Sequence, residues 1–186
     1  MKKRKSNRSM ACAIAACVST AIGASSAVGA EPAPTTPAVK QALDEALADE
    51  RKAHASYKAI IDRFGEVRPF SNIVHAEQRH IDALLPLYAR YGLTPPADET
   101  VVPAEVYTED LLGLCKIGVA AEIENVRLYD KKLLPAVAAY PDIAEVMRRL
   151  RDASNDKHLP AFQRCVDRGG VMGGGGHGRG PGRSRN

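Results

Sequence analysis

The 186-residue chain carries 26 Lys+Arg against 22 Asp+Glu, but the basic excess sits at its two ends. Residues 1–30 hold five basic residues and no acid, and Arg168, Arg179, Arg183 and Arg185 follow the last acid, so the middle balances seventeen basic against 22 acidic residues. That excludes the basic face a nucleic-acid-binding core needs, and the length left between the tails suits one domain.

Met1-Lys-Lys-Arg-Lys-Ser-Asn-Arg8 is a basic leader, followed by an Ala-rich apolar run from Met10 to Ala24. Val28-Gly-Ala30 then supplies small residues before a cut at Glu31. The three features together predict a secretory signal peptide over 1–30, hence a secreted, periplasmic or cell-envelope protein. The run is too short and too rich in Ala and Ser for a membrane span, so no membrane association is expected after cleavage. Ile14-Ala-Ala-Cys17 also fits a lipoprotein signal, but the apolar run continues past that Cys. Cys12 and Cys17 leave with the leader; Cys115 and Cys165 remain as an even pair in an exported chain.

Residues 31–38 read as a Pro-rich spacer and 39–168 as an all-α domain. Helix one is predicted from Val39 to Phe64, with Leu43, Leu47, Glu50, His54, Tyr57, Ile61 and Phe64 on one stripe and Gly65 as the stop. Helix two runs from about Pro69 to Tyr91, with Phe70, Ile73, Glu77, Ile81 and Leu84 facing the core and His80 beside Glu77. A Pro-rich, non-helical connector follows to about Thr108. Helix three is predicted from Glu109 to Leu134, capped by Thr108, on the stripe Leu112, Cys115, Val119, Glu122, Val126, Tyr129 and Leu133. Helix four runs from Pro141 to Arg168, with Pro160 expected to loosen one turn. Gly169 to Asn186 is Gly/Arg-rich and has no material for a core. The long connector can return along the whole of a helix, so helix three starts opposite the end of helix two. The fold expected is a four-helix bundle with one long crossover.

Each helix breaks its apolar stripe with a polar residue near its middle: Glu50, Glu77 with His80, Glu122, and His158. Three carboxylates buried in one layer repel each other unless cations neutralise them. Oxygen and imidazole donors suit Fe, Mn or Zn. The plainer alternatives are an exposed Glu77–His80 pair and an ordinarily hydrogen-bonded His158; Asp49 and Glu45 also lie on helix one but one turn or about 100° from Glu50, and Glu124, two residues beyond Glu122, faces solvent. His54 reads as an outer hydrogen-bonding partner, Tyr57 and Tyr129 as core aromatics with a bonded hydroxyl, His75 as surface and His177 as idle.

Cys115 stands seven residues before Glu122 and Cys165 seven after His158. On antiparallel helices three and four, both thiols then lie about 10 Å from the polar layer on the same side. A disulfide is expected; two reduced core thiols are the alternative.

Glu50-Arg-Lys-Ala-His-Ala-Ser-Tyr57, Ala76-Glu-Gln-Arg-His-Ile-Asp82, Lys116-Ile-Gly118 with Glu122, and His158-Leu-x-Ala-Phe162 resemble the ferritin-like di-iron carboxylate superfamily. More narrowly they resemble its uncharacterised bacterial and archaeal branch, domain of unknown function 2202, over residues 39–166. The resemblance implies a ferritin-like four-helix bundle holding two iron ions, with Mn or Zn as substitutes. In it Glu50 and Glu122 serve one ion each, Glu77 bridges, and His80 and His158 cap one ion each. It also implies oxidoreductase activity on peroxide, or on oxygen with ferrous iron, and it is compatible with a homodimer. The alternatives are a metal-sequestering protein without turnover and a structural helical bundle. One departure stands out: Asn155 occupies the place of the second Glu of a full Glu-x-x-His, which leaves three carboxylates for two divalent ions or a single-metal site.

Overall fold

A computed structural model describes residues 34–170; the leader and the Gly/Arg stretch from 171 onward, with Cys12, Cys17 and His177, lie outside the described residues. Among the described residues the chain is helix and turn, with no strand and no helix long and apolar enough to cross a membrane.

Helix α1 spans Pro37–Phe64. It starts inside the segment expected to be spacer because Thr36 accepts the Val39 N–H and Pro37 takes the first helical position. It stops at Gly65, whose φ of +80° disfavours residues with a Cβ. Helix α2 spans Phe70–Arg90. The connector then runs back along α1. Arg51 donates to the carbonyl of Pro96 at 2.9 Å, and Arg63 donates to those of Val106 and Glu109 at 2.9 and 2.7 Å. A short helix α3, Glu105–Thr108, interrupts this connector, which the Pro content had marked as non-helical.

Helix α4, Leu111–Leu128, is capped by Asp110 through the Gly113 N–H at 2.7 Å, so the cap falls two residues later than Thr108. Its buried face carries Leu114 and Gly118 in place of the expected Leu112, since Gly118 lets α4 close onto the Phe162 ring. A π turn, Tyr129–Leu133, links α4 to α5, Leu134–Ala136. Helix α6, Pro141–Ala153, passes through a second π turn, Ser154–His158, into α7, Leu159–Asp167. The loosening expected at Pro160 is this second π turn.

Both π turns end at a Leu-Pro-Ala step, 134–136 and 159–161. Proline lacks an N–H and crowds the carbonyl four residues back, which a wider turn relieves. Pro86 sits inside α2 without such a turn, so proline permits the feature and does not dictate it. After α7, Gly169 and Gly170 close the helix end with φ of +66° and +73°, donating to Val166 and Cys165 carbonyls. The first two residues of the expected tail thus belong to the domain.

The core divides in two. Leu43, Leu47, Leu84, Leu133 and Met147 pack at one end; Ile60, Phe70, Leu114, Phe162 and the Cys115–Cys165 disulfide pack at the other, where the bridge ties α4 to α7. Between the clusters lies a layer of polar side chains.

Candidate metal centre

Glu50, Glu77, Glu122 and His158 are each no more than 4% exposed. They come from α1, α2, α4 and the second π turn, and His80 of α2 joins them half-buried. Glu50, Glu77 and His80 offer donor atoms within 4.8 Å of one another, and so do Glu77, Glu122 and His158. Glu77 belongs to both triads: its Oε2 lies 3.0 Å from His80 Nδ1 and its Oε1 lies 3.2 Å from His158 Nδ1. His80 Nδ1 is also 2.9 Å from Glu50 Oε2, and His158 Nδ1 is 3.6 Å from Glu122 Oε1. The two imidazoles stack at 5.6 Å between centroids.

Each outer carboxylate is held by a tyrosine from the opposite helix. Tyr129 donates to Glu50 Oε1 at 3.0 Å, and Tyr57 donates to Glu122 Oε1 at 3.1 Å. The two motifs share one spacing, Glu-x6-Tyr, the first within α1 and the second running from α4 into the first π turn. Burial, and then the neighbouring carboxylates, push both phenols well above their usual pKa. They stay hydrogen-bond donors.

Electrostatics mark the layer as deficient in positive charge. Burial drives the Glu77 carboxyl well above the carboxylate range, against the opposing hydrogen bond from His80. Burial also acts against ionised Glu50, but hydrogen bonds from His80 and Glu77 outweigh it and leave that carboxyl below its usual value. Burial disfavours charged His80 too, yet hydrogen bonds to Glu50 and Glu77 carry it to about 10. Protons thus substitute for cations where carboxylates are forced together. One donor atom remains unserved: His158 Nδ1 is buried and has no hydrogen-bond partner despite two carboxylates nearby. A buried imidazole nitrogen 3.2 and 3.6 Å from two carboxylate oxygens and hydrogen-bonded to neither fits a divalent ion better than it fits an apolar core.

The helix-four position resolves differently from the sequence reading. Asn155 is exposed and bonds Asp156, while Ser154 is buried toward the centre. A π turn holds more residues per turn, so the residue four back from His158, not three back, shares its direction. His54 stays outside both triads, half-buried, and His75 is exposed. Tyr57 and Tyr129 are core aromatics with bonded hydroxyls, as expected. One pair escaped the sequence reading: Asn125 of α4 hydrogen-bonds Asp49 of α1 beside the layer. Burial, then the Glu50 charge, raises the Asp49 carboxyl to about 6.

A cavity of about 530 Å³ reaches the layer between α1 and α4, roofed by Pro103 and Val106. Its inner end carries Glu50, Glu77, Glu122, Tyr57 and Ser154.

A family model described as "Uncharacterized protein domain (DUF2202)" matches residues 45–173. No curated protein matches the chain. Among solved structures, the crystal structure of hypothetical protein MJ0754 from Methanococcus jannaschii DSM 2661 is similar, with a TM-score of 0.63 and 22% identity over 76% of this chain and 86% of that one. At that identity the likeness speaks to the fold alone.

Proposed function

We propose that this chain, which belongs to the DUF2202 family, is an exported ferritin-like protein whose polar layer binds two metal ions, iron in the first place. The observation that carries the reading is the sharing of Glu77 between two triads that each add one outer Glu and one His. The ferritin-like assignment is supported by the long crossover and by carboxylates contributed from separate helices to one depth. Export is supported by the basic leader, the apolar run and the small-residue cut. It is also supported by the Cys115–Cys165 disulfide, which suits an oxidising compartment.

Glu50 with His80 would hold one ion, Glu122 with His158 the other, and Glu77 would serve both. Bound iron would supply redox chemistry toward peroxide or oxygen. The protein's own part is positional. Tyr57 and Tyr129 fix the outer carboxylates, His80 and His158 stack with Nδ1 near the carboxylates, and the apolar clusters close the layer on two sides, leaving the cavity between α1 and α4 as the way in. On binding ions, Glu77 and His80 would give up the protons that their raised pKa values favour in the metal-free chain.

Ser154 in place of a fourth carboxylate favours a second reading, sequestration without turnover. Elemental analysis of the natively purified full chain, followed by oxygen and peroxide consumption under ferrous loading, tests both. Two equivalents of metal with turnover above free iron support the enzyme, two equivalents without it support sequestration, and none removes the metal reading.

A further inference from the structure

The cavity is far larger than its proposed small oxidants require. Oxygen or peroxide needs the room of one or two waters, ~30 Å³ each, against about 530 Å³ here. That volume falls in the range of about 300–1,000 Å³ typical of organic-ligand pockets, which pair apolar walls with a few convergent polar groups. The walls fit the description: Ala53, Ile60, Phe70, Val106, Leu114 and Ile117 line the passage, and Ile117 stands 42% exposed on α4. The polar groups are the carboxylate layer at the inner end, the Asp49–Asn125 pair beside it, Ser56, and Lys52, Glu105 and Glu124, which are exposed at the rim.

We infer that the cavity binds a medium-chain organic carboxylate, head inward and apolar tail along the wall. The inference rests on the two-metal reading, because the ions decide the head group. Glu50, Glu77 and Glu122 would be the three anionic ligands of two divalent ions, and Asp49, held by Asn125, lines the same cavity beside them without joining either triad. A carboxylate head can ligate such ions through oxygen, an ammonium head has no lone pair to give, and an uncharged hydroxyl is the weaker donor. The missing fourth ligand carboxylate therefore becomes an opening for the ligand: Ser154 leaves beside the layer the space that a Glu would have filled.

The test uses the full chain loaded with zinc, which is redox-silent, with zinc content measured before any ligand is added. Decanoate, acetate, decanol and decylamine are then titrated calorimetrically into loaded and zinc-stripped protein. Decanoate should bind the loaded chain about tenfold tighter than each of the other three, a step of about 1.4 kcal/mol. It should lose that preference in the stripped chain. Ile117→Trp, which crowds the passage, should weaken decanoate about tenfold and leave zinc content unchanged. If that variant does not fold, the four-ligand series on the natural sequence decides alone. Decanol binding as well as decanoate, or decylamine binding better, overturns the inference. So does a chain that carries two zinc ions and takes up no decanoate, which leaves the metal reading intact. A chain that takes up no zinc overturns the metal reading and this inference with it.

Discussion

Tyr57 of α1 donates its phenolic hydrogen to Glu122 of α4 across 3.1 Å, and both groups are buried. Tyr129 returns the same bond from the end of α4 to Glu50 of α1 at 3.0 Å. Removing either hydroxyl should loosen one carboxylate only. Tyr57→Phe is expected to weaken metal uptake about 10–100-fold, the usual effect of losing a hydrogen bond behind a ligand. In the metal-free chain it should cost about 1–3 kcal/mol, since Glu122 loses a buried donor. Metal titration and urea unfolding read the two effects separately; unchanged uptake would reject the bracing role.

The shared position of Glu77 separates it from the outer carboxylates. Glu50→Gln and Glu122→Gln should each halve the metal content of the purified chain, while Glu77→Gln should nearly abolish it. Mass-spectrometric elemental analysis gives the stoichiometry. Three equal losses would mean that the triads do not function as two sites.

The pH dependence follows from the raised groups. Glu77 and His80 bind their protons more tightly in the folded chain than at their ordinary values of 4.5 and 6.5, with His80 reaching about 10. The folded state therefore holds more protons than the unfolded state through neutral pH, so metal-free stability falls as pH rises. His80's share is fully present below 6.5 and is lost as pH passes about 10. Glu50, with a lowered value, acts oppositely: its share is present above 4.5 and fades as pH falls through the folded value. Calorimetry of the stripped chain should show a lower Tm at about pH 9 than at about pH 6.5. Zinc-induced stabilisation should grow over the same interval, because binding releases those protons.

Gly118→Ala probes the packing that fixes α4. A Cβ there would meet the Phe162 ring at 2.5 Å, and Phe162 is fully buried between the helices. The expected cost is about 1–3 kcal/mol from overpacking, read as a lower urea midpoint with an unchanged slope.

The disulfide closes a 50-residue separation. Loop-closure entropy puts its loss at about 4 kcal/mol. Cys115→Ser with Cys165→Ser should lower stability by that order while leaving metal stoichiometry unchanged, since the bridge lies beyond the polar layer.

Much of this was legible in the residues. Glu50, Glu77 and Glu122 stood out because a carboxylate interrupted an apolar stripe of helical period, and burial then followed from amphipathicity. The cysteine pairing was legible because equal seven-residue offsets on antiparallel helices lead to the same depth. What failed was anything that depends on a departure from the regular helix. The Glu-x-x-His pattern of the resemblance puts Asn155 at the missing Glu, a spacing that holds on a regular helix, and the π turn around it brings Ser154 inward instead. Asp110 outcompeted Thr108 as a cap through a single backbone hydrogen bond. The Asp49–Asn125 pair and the cavity beside it depend on how far α1 stands from α4, a distance no periodicity encodes.

The tyrosine–carboxylate bonds span 65 and 79 residues of sequence. Neither the α1–α2 hairpin nor the segment from α4 to α7 contains a complete triad with its brace. Contacts of such separation bring large loop-closure entropy and reward the chain late in folding. The centre is thus a latch that shuts only after the two halves have docked, and an ion entering it would stabilise the assembled topology more than either half.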